Sequence, residues 1–149
     1  MFEKGIVMSK LILASHGSLA EGMKSALKMI LGDTVQAEAF GLDKWEQPQA
    51  IMEQIQKLRE EAPEEEFIIL CDMKGGSVCN RMVELCSEPN VCVISGMNLT
   101  LAIGLAMMPP GVKCSEMKAE LFEEARDGIE YFDSAVVGGL KEEEEDDLW

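Results

Sequence analysis

The chain has 149 residues, which suits one domain with a sizeable core, and 47% of them are hydrophobic although only 5% are aromatic. Its net charge of −15 argues against binding to nucleic acid or to an anionic membrane surface, because both require clustered lysine and arginine. The start of the chain lacks the apolar region of a secretory signal, and no charge-free apolar run reaches the roughly 18 residues of a membrane helix. We therefore expect a cytoplasmic protein without direct membrane insertion.

The first predicted strand leads directly into the only histidine of the chain. Residues 10–15 read KLILAS, a short apolar run typical of a buried parallel strand, and His16 and Gly17 follow at once. Ser18, with Glu21 three residues later, forms a capping box that predicts the start of a helix. The sequence therefore places His16 in a tight turn between a strand and a helix.

Three more strands are predicted to alternate with helices. A weak candidate covers residues 35–40, the strongest (FIILC) covers 67–71, and the fourth covers 91–94. Pro48 suits the first turn of the intervening helix, and Asn98 is expected to cap a short helix after the fourth strand. This alternation predicts an α/β fold with three layers, in which a mainly parallel sheet has helices on both faces.

The C-terminal part is predicted to hold one long helix, one short strand and a tail. Ser115 is expected to cap the helix, whose inward face would comprise Met117, Leu121, Ala125, Ile129 and Phe132. Ala135–Val137 is a candidate fifth strand. We expect one domain over residues 8–138, followed by an acidic, solvated and disordered tail over 139–149.

Cysteine spacing does not indicate a metal or redox site. No two of the five cysteines are separated by only two residues; they are Cys71, Cys79, Cys86, Cys92 and Cys114. An odd number without a secretory signal indicates reduced thiols in the cytoplasm, and we expect structural roles for all five. With a single histidine present, we expect no metal site and no cofactor.

Two strand ends carry the candidate chemistry. Ligands of parallel sheets bind outside the carboxyl ends of the strands, and Asp72 follows strand three as His16 follows strand one. If these strands are neighbours, both side chains share one crevice. A carboxylate on one ring nitrogen would fix the imidazole tautomer and leave the other nitrogen as a nucleophile. We expect Gly17 to remove side-chain bulk beside the ring.

The loop Gly75-Gly76-Ser77 could hold phosphate oxygens. Its two glycines allow backbone N–H groups to face a ligand, and Ser77 adds a hydroxyl group. Ser77 is also a candidate cap for the next helix. The motif lacks the Walker pattern, so nucleotide binding is not implied, and an ordinary turn is the competing interpretation.

Three segments in order, LILASHG, CDMKGGSVCN and ISGMNLTL, resemble the mannose-type IIA domains of the bacterial phosphoenolpyruvate-dependent sugar phosphotransferase system. The similarity runs from about residue 10 to residue 132. Departures from the family pattern are Val78 and Thr100, which replace prolines, and Lys74, which stands where an apolar or aromatic residue is common. These changes affect loops that would border the surface on which partner proteins dock. They leave His16, Asp72 and the Gly-Gly-Ser loop intact.

The resemblance implies a four-stranded parallel sheet of order 2-1-3-4 and a homodimer that can exchange the strand expected at Ala135–Val137. His16 matches the phosphorylated histidine, Asp72 the carboxylate that holds it, and Ser77 the serine of the phosphate-facing loop. The implied activity is that of a phosphotransferase with a phosphohistidine intermediate. The donor would be the carrier HPr and the acceptor a IIB component, and the membrane partners would select the sugar, which this chain therefore does not identify.

Three alternative functions are compatible with a histidine at this position. The domain could be a regulatory phosphohistidine module that signals sugar status through protein–protein contacts. It could be a dihydroxyacetone-kinase phosphocarrier-like subunit, although the second motif of those proteins resembles Asp-Met-Gly-Ser and lacks the Gly-Gly-Ser of this sequence. A phosphatase or mutase of the Arg-His-Gly type is disfavoured, because Ser15 replaces the arginine and a second histidine is lacking.

Overall fold

The computed structural model describes residues 8–147, and its centre is a sheet of four parallel strands. The strands are β1 (Ser9–Ser15), β2 (Ala37–Gly41), β3 (Glu66–Cys71) and β4 (Val91–Ile94). Their order across the sheet is β2-β1-β3-β4, and each neighbouring pair is parallel. The predicted three-layer α/β fold and its strand order are confirmed.

Helices connect the strands and cover both faces of the sheet. They are α1 (Leu19–Leu31), α2 (Pro48–Glu61), α3 (Ser77–Val83), α4 (Leu99–Ala106), α5 (Ala119–Asp127) and α6 (Ser134–Asp147). Two predicted helix starts are confirmed: Pro48 is the first residue of α2, and the Asn98 side chain caps α4 by accepting a hydrogen bond from the N–H of Leu101. None of these helices, all within residues 8–147, has the length and apolar content that a membrane crossing requires.

The sheet separates two apolar clusters, because successive side chains of a strand point to opposite faces. On one face, Ile12 and Ile69 pack with residues of α2 and α3, including Ile55. On the other face, Leu13 and Leu70 pack with residues of α1, α4 and α5. Every residue of β3 is buried, as expected of a strand covered on both sides. The strand ends that follow are therefore anchored in a rigid sheet.

The fifth strand predicted at Ala135–Val137 is wrong, since these residues lie in α6. The carboxylate of Asp133 accepts a hydrogen bond from the N–H of Val136 at 3.0 Å, which stabilises the start of the helix. The glutamates that follow are good helix formers. Helix α6 contains the acidic run as far as Asp147, and the rest of the predicted tail lies outside the described residues.

The predicted long helix before α6 is shorter than expected. Ser115 lies in a 3₁₀ turn, and the residue that precedes α5 is Lys118. The helix ends at Asp127 with Gly128 as its C-cap, so the apolar stripe does not continue. Ile129 and Phe132, predicted to face inward, are 79% and 59% exposed.

The five cysteines are all unpaired thiols, and one of them lacks the buried position that a structural role would suggest. Cys71 and Cys79 are buried, and burial raises the pKa of the Cys71 thiol. Cys86 is exposed. It lies in a 3₁₀ turn after the end of α3, so its seven-residue separation from Cys79 does not place both on one helix face.

Candidate functional site

The carboxyl ends of β1 and β3 bring His16 and Asp72 together. The two strands are direct neighbours, with Ala14 opposite Cys71, so the residues just beyond them meet at one edge of the sheet. The Nδ1 atom of His16 lies 2.7 Å from Oδ2 of Asp72. The backbone N–H of His16 donates to the same oxygen, also at 2.7 Å. Residues 56 apart in sequence thus form one hydrogen-bonded unit.

Asp72 is held as a carboxylate at this position. Its burial raises its pKa, but hydrogen bonds from the backbone N–H and ring of His16 and from the N–H of Met73 outweigh burial and leave the pKa below its usual value. An ionised carboxylate only accepts hydrogen bonds, so the ring nitrogen facing it carries the proton. The lone pair of the neutral imidazole is therefore on Nε2.

Nε2 of His16 faces the hydroxyl group of Ser77. Ser77 Oγ lies 3.3 Å from this nitrogen, at the first residue of α3. The prediction that Ser77 caps α3 is wrong, because Gly76 is the N-cap and no side chain caps the helix. The hydroxyl is therefore available to donate to Nε2 or to a group bound there.

The glycines near the ring have different roles from those the sequence suggested. A Cβ atom on Gly76 would lie 3.3 Å from Cε1 of His16 and 2.9 Å from Cγ of Met73, so Gly76 makes room for the imidazole. A Cβ atom on Gly17 would meet nothing within 4 Å. The prediction that Gly17 removes bulk is therefore wrong; its φ of 51° is the feature that favours glycine there.

Two contacts that sequence reasoning missed shape the site. The amide of Asn80 donates to the carbonyl of Gly75 at 3.2 Å and fixes the glycine loop on α3. The hydroxyl of Ser15, fully buried, accepts from the N–H of Ala20 at 2.7 Å. Asn80 lies three residues after the Gly-Gly-Ser motif, so its contact with the glycine loop could have been predicted from the sequence. The Ser15 contact could not be predicted from the sequence, because Ser18 also carries a hydroxyl group and is the more obvious candidate to bond the start of α1.

The site is open to solvent, whereas cavities lie elsewhere. The side chain of His16 is 47% exposed, and that of Asp72 only 9%. A cavity of about 340 Å³ lies at the opposite edge of the sheet, where Leu11, Ile68 and Leu105 contribute to its wall. Within residues 8–147, no three histidine, cysteine, aspartate or glutamate side chains gather as a metal ion would require.

This geometry suits covalent chemistry at Nε2. The ring has a fixed tautomer, an anionic partner behind it and a hydroxyl beside the nucleophilic nitrogen. A carboxylate behind an imidazole stabilises the positive charge that develops when the ring bonds to an electrophile.

Comparison with known proteins defines the class as a IIA component of the sugar phosphotransferase system. A family model described as PTS system fructose IIA component, the mannose-type EIIA family, matches residues 10–122. The chain belongs to this mannose-type IIA family, whose members take part in phosphoryl transfer.

Solved structures agree with this assignment. The chain is 26% identical to the mannose/sorbose-specific IIA subunit of the phosphotransferase system from Enterococcus faecalis, with a TM-score of 0.71 and coverage of 85% of this chain and 96% of that one. The phosphotransferase system component EIIA from Streptococcus agalactiae shares the fold at 21% identity, with a TM-score of 0.68 and coverage of 84% and 98%.

Proposed function

We propose that this protein is a cytoplasmic phosphoryl carrier that accepts a phosphoryl group from phospho-HPr on Nε2 of His16 and passes it to a IIB component for sugar uptake. The observation that carries the proposal is the 2.7 Å contact between Nδ1 of His16 and Asp72, because it leaves Nε2 as the nucleophile. Membership of the IIA family supports the same reaction class.

The proposed reaction has two transfers. In the first, the lone pair of Nε2 forms the N–P bond as the bond between phosphorus and the donor histidine breaks. The proton on Nδ1 stays in place, and the carboxylate of Asp72 faces the positive charge of the phosphorylated ring. In the second, a nucleophile of the IIB component forms the new bond to phosphorus, and Nε2 recovers its lone pair.

Ser77 and the glycine loop would hold the phosphoryl oxygens. The Ser77 hydroxyl, 3.3 Å from Nε2, is within reach of a group bound to that nitrogen. The uncapped N–H groups at the start of α3 lie beside it, and Gly76 leaves the space. In phosphoryl transfer such positioning and charge stabilisation supply most of the catalysis.

The exposure of the site supports a protein as donor and acceptor. Leu19 and Met73, which flank His16 along the chain and across the crevice, are 49% and 56% exposed. Exposed apolar side chains beside a half-exposed nucleophile suit contact with a protein surface. We propose that these residues form part of the face on which HPr and the IIB component dock in turn.

We also propose that the protein is a homodimer. Large apolar side chains are exposed along the C-terminal segment: Ile129, Tyr131, Phe132, Val136, Val137 and Leu140. Contact between two copies would remove this surface from water. In this structure such contact would involve helix α6 rather than an exchanged strand.

Labelling with radioactive phosphoenolpyruvate tests the proposal. Incubation with enzyme I and HPr should place acid-labile phosphate on the wild-type protein and none on a His16→Ala variant, which has no histidine. A Ser25→Ala variant, altered at an exposed position of α1, is the control and should be labelled like the wild type. Label that survives His16→Ala would disprove the assignment.

Adding a IIB component separates transport from regulation. A carrier loses its label to IIB within the assay, and the label should then appear on that protein. A phosphorylated chain that keeps its label in the presence of IIB would instead support the regulatory alternative.

A further inference from the structure

The turn that presents His16, residues 15–19, is anchored from the interior of the protein by its first residue. Ser15 is fully buried, whereas the next four residues are exposed. Its hydroxyl oxygen accepts from the N–H of Ala20 at 2.7 Å, in the first turn of α1. Ser18, at the N-cap, makes no side-chain capping bond. The start of α1 is thus bonded to the end of β1, directly across the turn.

The backbone of Ser15 is also bonded to the neighbouring strand. Its carbonyl accepts from the N–H of Leu42 at 3.0 Å, just beyond the end of β2. Ser15 therefore connects β1, α1 and the end of β2, and His16 is the next residue along the chain.

Gly41, the last residue of β2, contacts the same turn from the other side. It lies opposite Ser15 in the strand register and is buried. A Cβ atom here would collide with the carbonyl oxygen of Gly17 and lie 2.6 Å from Oδ1 of Asp43. Backbone atoms cannot yield as a flexible side chain can, so a side chain at position 41 would displace the turn.

We propose that Ser15 and Gly41 are positioning residues for phosphoryl transfer, which fix the backbone of His16 so that its N–H and its Nδ1 both reach Asp72. The proposal rests on the proposed function. Neither residue lies where it would touch the phosphoryl group, so both act through the His16 backbone. Both bonds to Asp72 are 2.7 Å long and depend on one backbone position, so a displacement of the turn weakens both together.

The test uses the untagged full chain, whose single histidine gives one set of imidazole signals in ¹⁵N NMR. The variants are Ser15→Ala, which removes the hydroxyl, and Gly41→Ala, which adds the colliding Cβ. Ser15→Thr restores the hydroxyl. The controls are Ser25→Ala and Gly22→Ala; a Cβ on Gly22 meets nothing within 4 Å.

We expect transfer from phospho-HPr to be about 10- to 100-fold slower in Ser15→Ala and Gly41→Ala, because small misplacements of reacting groups have effects of that size. The loss should be larger in kcat than in KM, since Ser15 and Gly41 are both buried and neither belongs to the proposed docking face. The Nδ1 and Nε2 shifts of His16 should move in both variants. Ser15→Thr should regain most of the rate and the wild-type shifts, and the controls should match the wild type.

Three results would overturn the proposal. The first is wild-type rates and imidazole shifts in folded Ser15→Ala and Gly41→Ala proteins. The second is a loss in KM alone. The third is loss of folded structure in both variants, which would make the residues structural. Failure of the wild type to accept phosphate would reject the proposed function instead, while the imidazole shifts would still report whether Ser15 and Gly41 position the ring.

Discussion

His16 is bound twice by one oxygen atom. Oδ2 of Asp72 accepts from the backbone N–H and from the ring of the same residue, each at 2.7 Å. This arrangement fixes the backbone and the side-chain torsions together, so the ring is oriented before any partner arrives. A pre-oriented nucleophile lowers the entropic cost of reaching the transition state. The carboxylate thus sets both the tautomer and the direction of Nε2.

Replacing Asp72 by asparagine should slow phosphoryl transfer by about 10²- to 10⁴-fold, the range seen when an imidazole loses its carboxylate partner. The amide NH₂ can donate to Nδ1, which favours the tautomer with the proton on Nε2 and so blocks the nucleophile. Rapid-quench kinetics with phospho-HPr measure the effect. Asp33→Asn, at an exposed site with a side chain 89% exposed, is the matched control. An unchanged rate in Asp72→Asn would remove Asp72 from the mechanism.

The pKa of Asp72 also predicts a pH dependence of stability. A carboxyl group whose pKa is lower in the folded state contributes stability that is fully present above its unfolded pKa, near 3.9, and is lost as the pH falls through the folded value. The free energy of unfolding of the wild type should therefore exceed that of Asp72→Asn from neutral pH to about pH 4 and should lose this excess at lower pH. Urea unfolding at several pH values measures it, and an excess that is constant below pH 4 would contradict the prediction.

Strands β1, β3 and β4 were predictable because each contains a continuous apolar run, whereas β2 is interrupted by Glu38 and was only a weak candidate. The sequence FIILC indicates β3, and the side chain after it must emerge at the carboxyl edge, so Asp72 could be placed beside His16 once the strand order was known. The contacts around Ser15 could not be predicted. Either Ser15 or Ser18 could bond the N–H groups at the start of α1, and in the structure Ser15 does so. The choice depends on how the helix lies against the sheet, which the local pattern Ser18-x-x-Glu21 does not show.

The C-terminal helix shows the same limit. Val136 and Val137 favour a strand, but a strand requires a partner, and the neighbouring Asp133 and the glutamates favour a helix. Local composition alone does not determine which preference prevails. The glycine at position 128, by contrast, marks the end of α5 in the sequence and could have corrected the predicted length of that helix.

Strand β3 should dominate the stability of the sheet, because it is buried on both faces. Ile69 is fully buried opposite Ile12 and Val93, and its replacement by alanine should lower the free energy of unfolding by about 2–5 kcal/mol. Ile30→Ala, at a position 52% exposed, is the matched control and should change it by about 0.5 kcal/mol or less. Urea denaturation measures both. Equal effects of the two substitutions would contradict the assigned core.

At the scale of the whole molecule, the site proposed for phosphoryl transfer and the surface proposed for self-association are on different elements. The proposed chemistry involves the ends of β1 and β3 and the start of α3, whereas the exposed apolar side chains follow α5 and continue along α6. Changes to one surface should therefore be separable from changes to the other.

The double variant Val136→Glu/Leu140→Glu places two charges on one side of α6, since residues four apart share a helix face. We expect the wild type to sediment as a dimer and this variant as a monomer. Both proteins should accept phosphate from HPr at rates within about threefold of each other, because the two substitutions lie on the surface of α6 and outside the proposed transfer site. Analytical ultracentrifugation and the labelling assay measure the two properties. A monomeric wild type, or a variant that remains dimeric, would contradict the proposed interface.

The separation of His16 from Asp72 by 56 residues has a consequence for newly made chains. A nascent polypeptide that has emerged only as far as α2 contains the histidine but lacks the acid that orients it. The ring is oriented only when β3 inserts beside β1. If the protein acts as the proposed phosphoryl carrier, a partly synthesised or misfolded chain would therefore accept phosphoryl groups slowly, as is expected of Asp72→Asn. On the same proposal, rapid phosphorylation of this histidine would report that the sheet has been assembled.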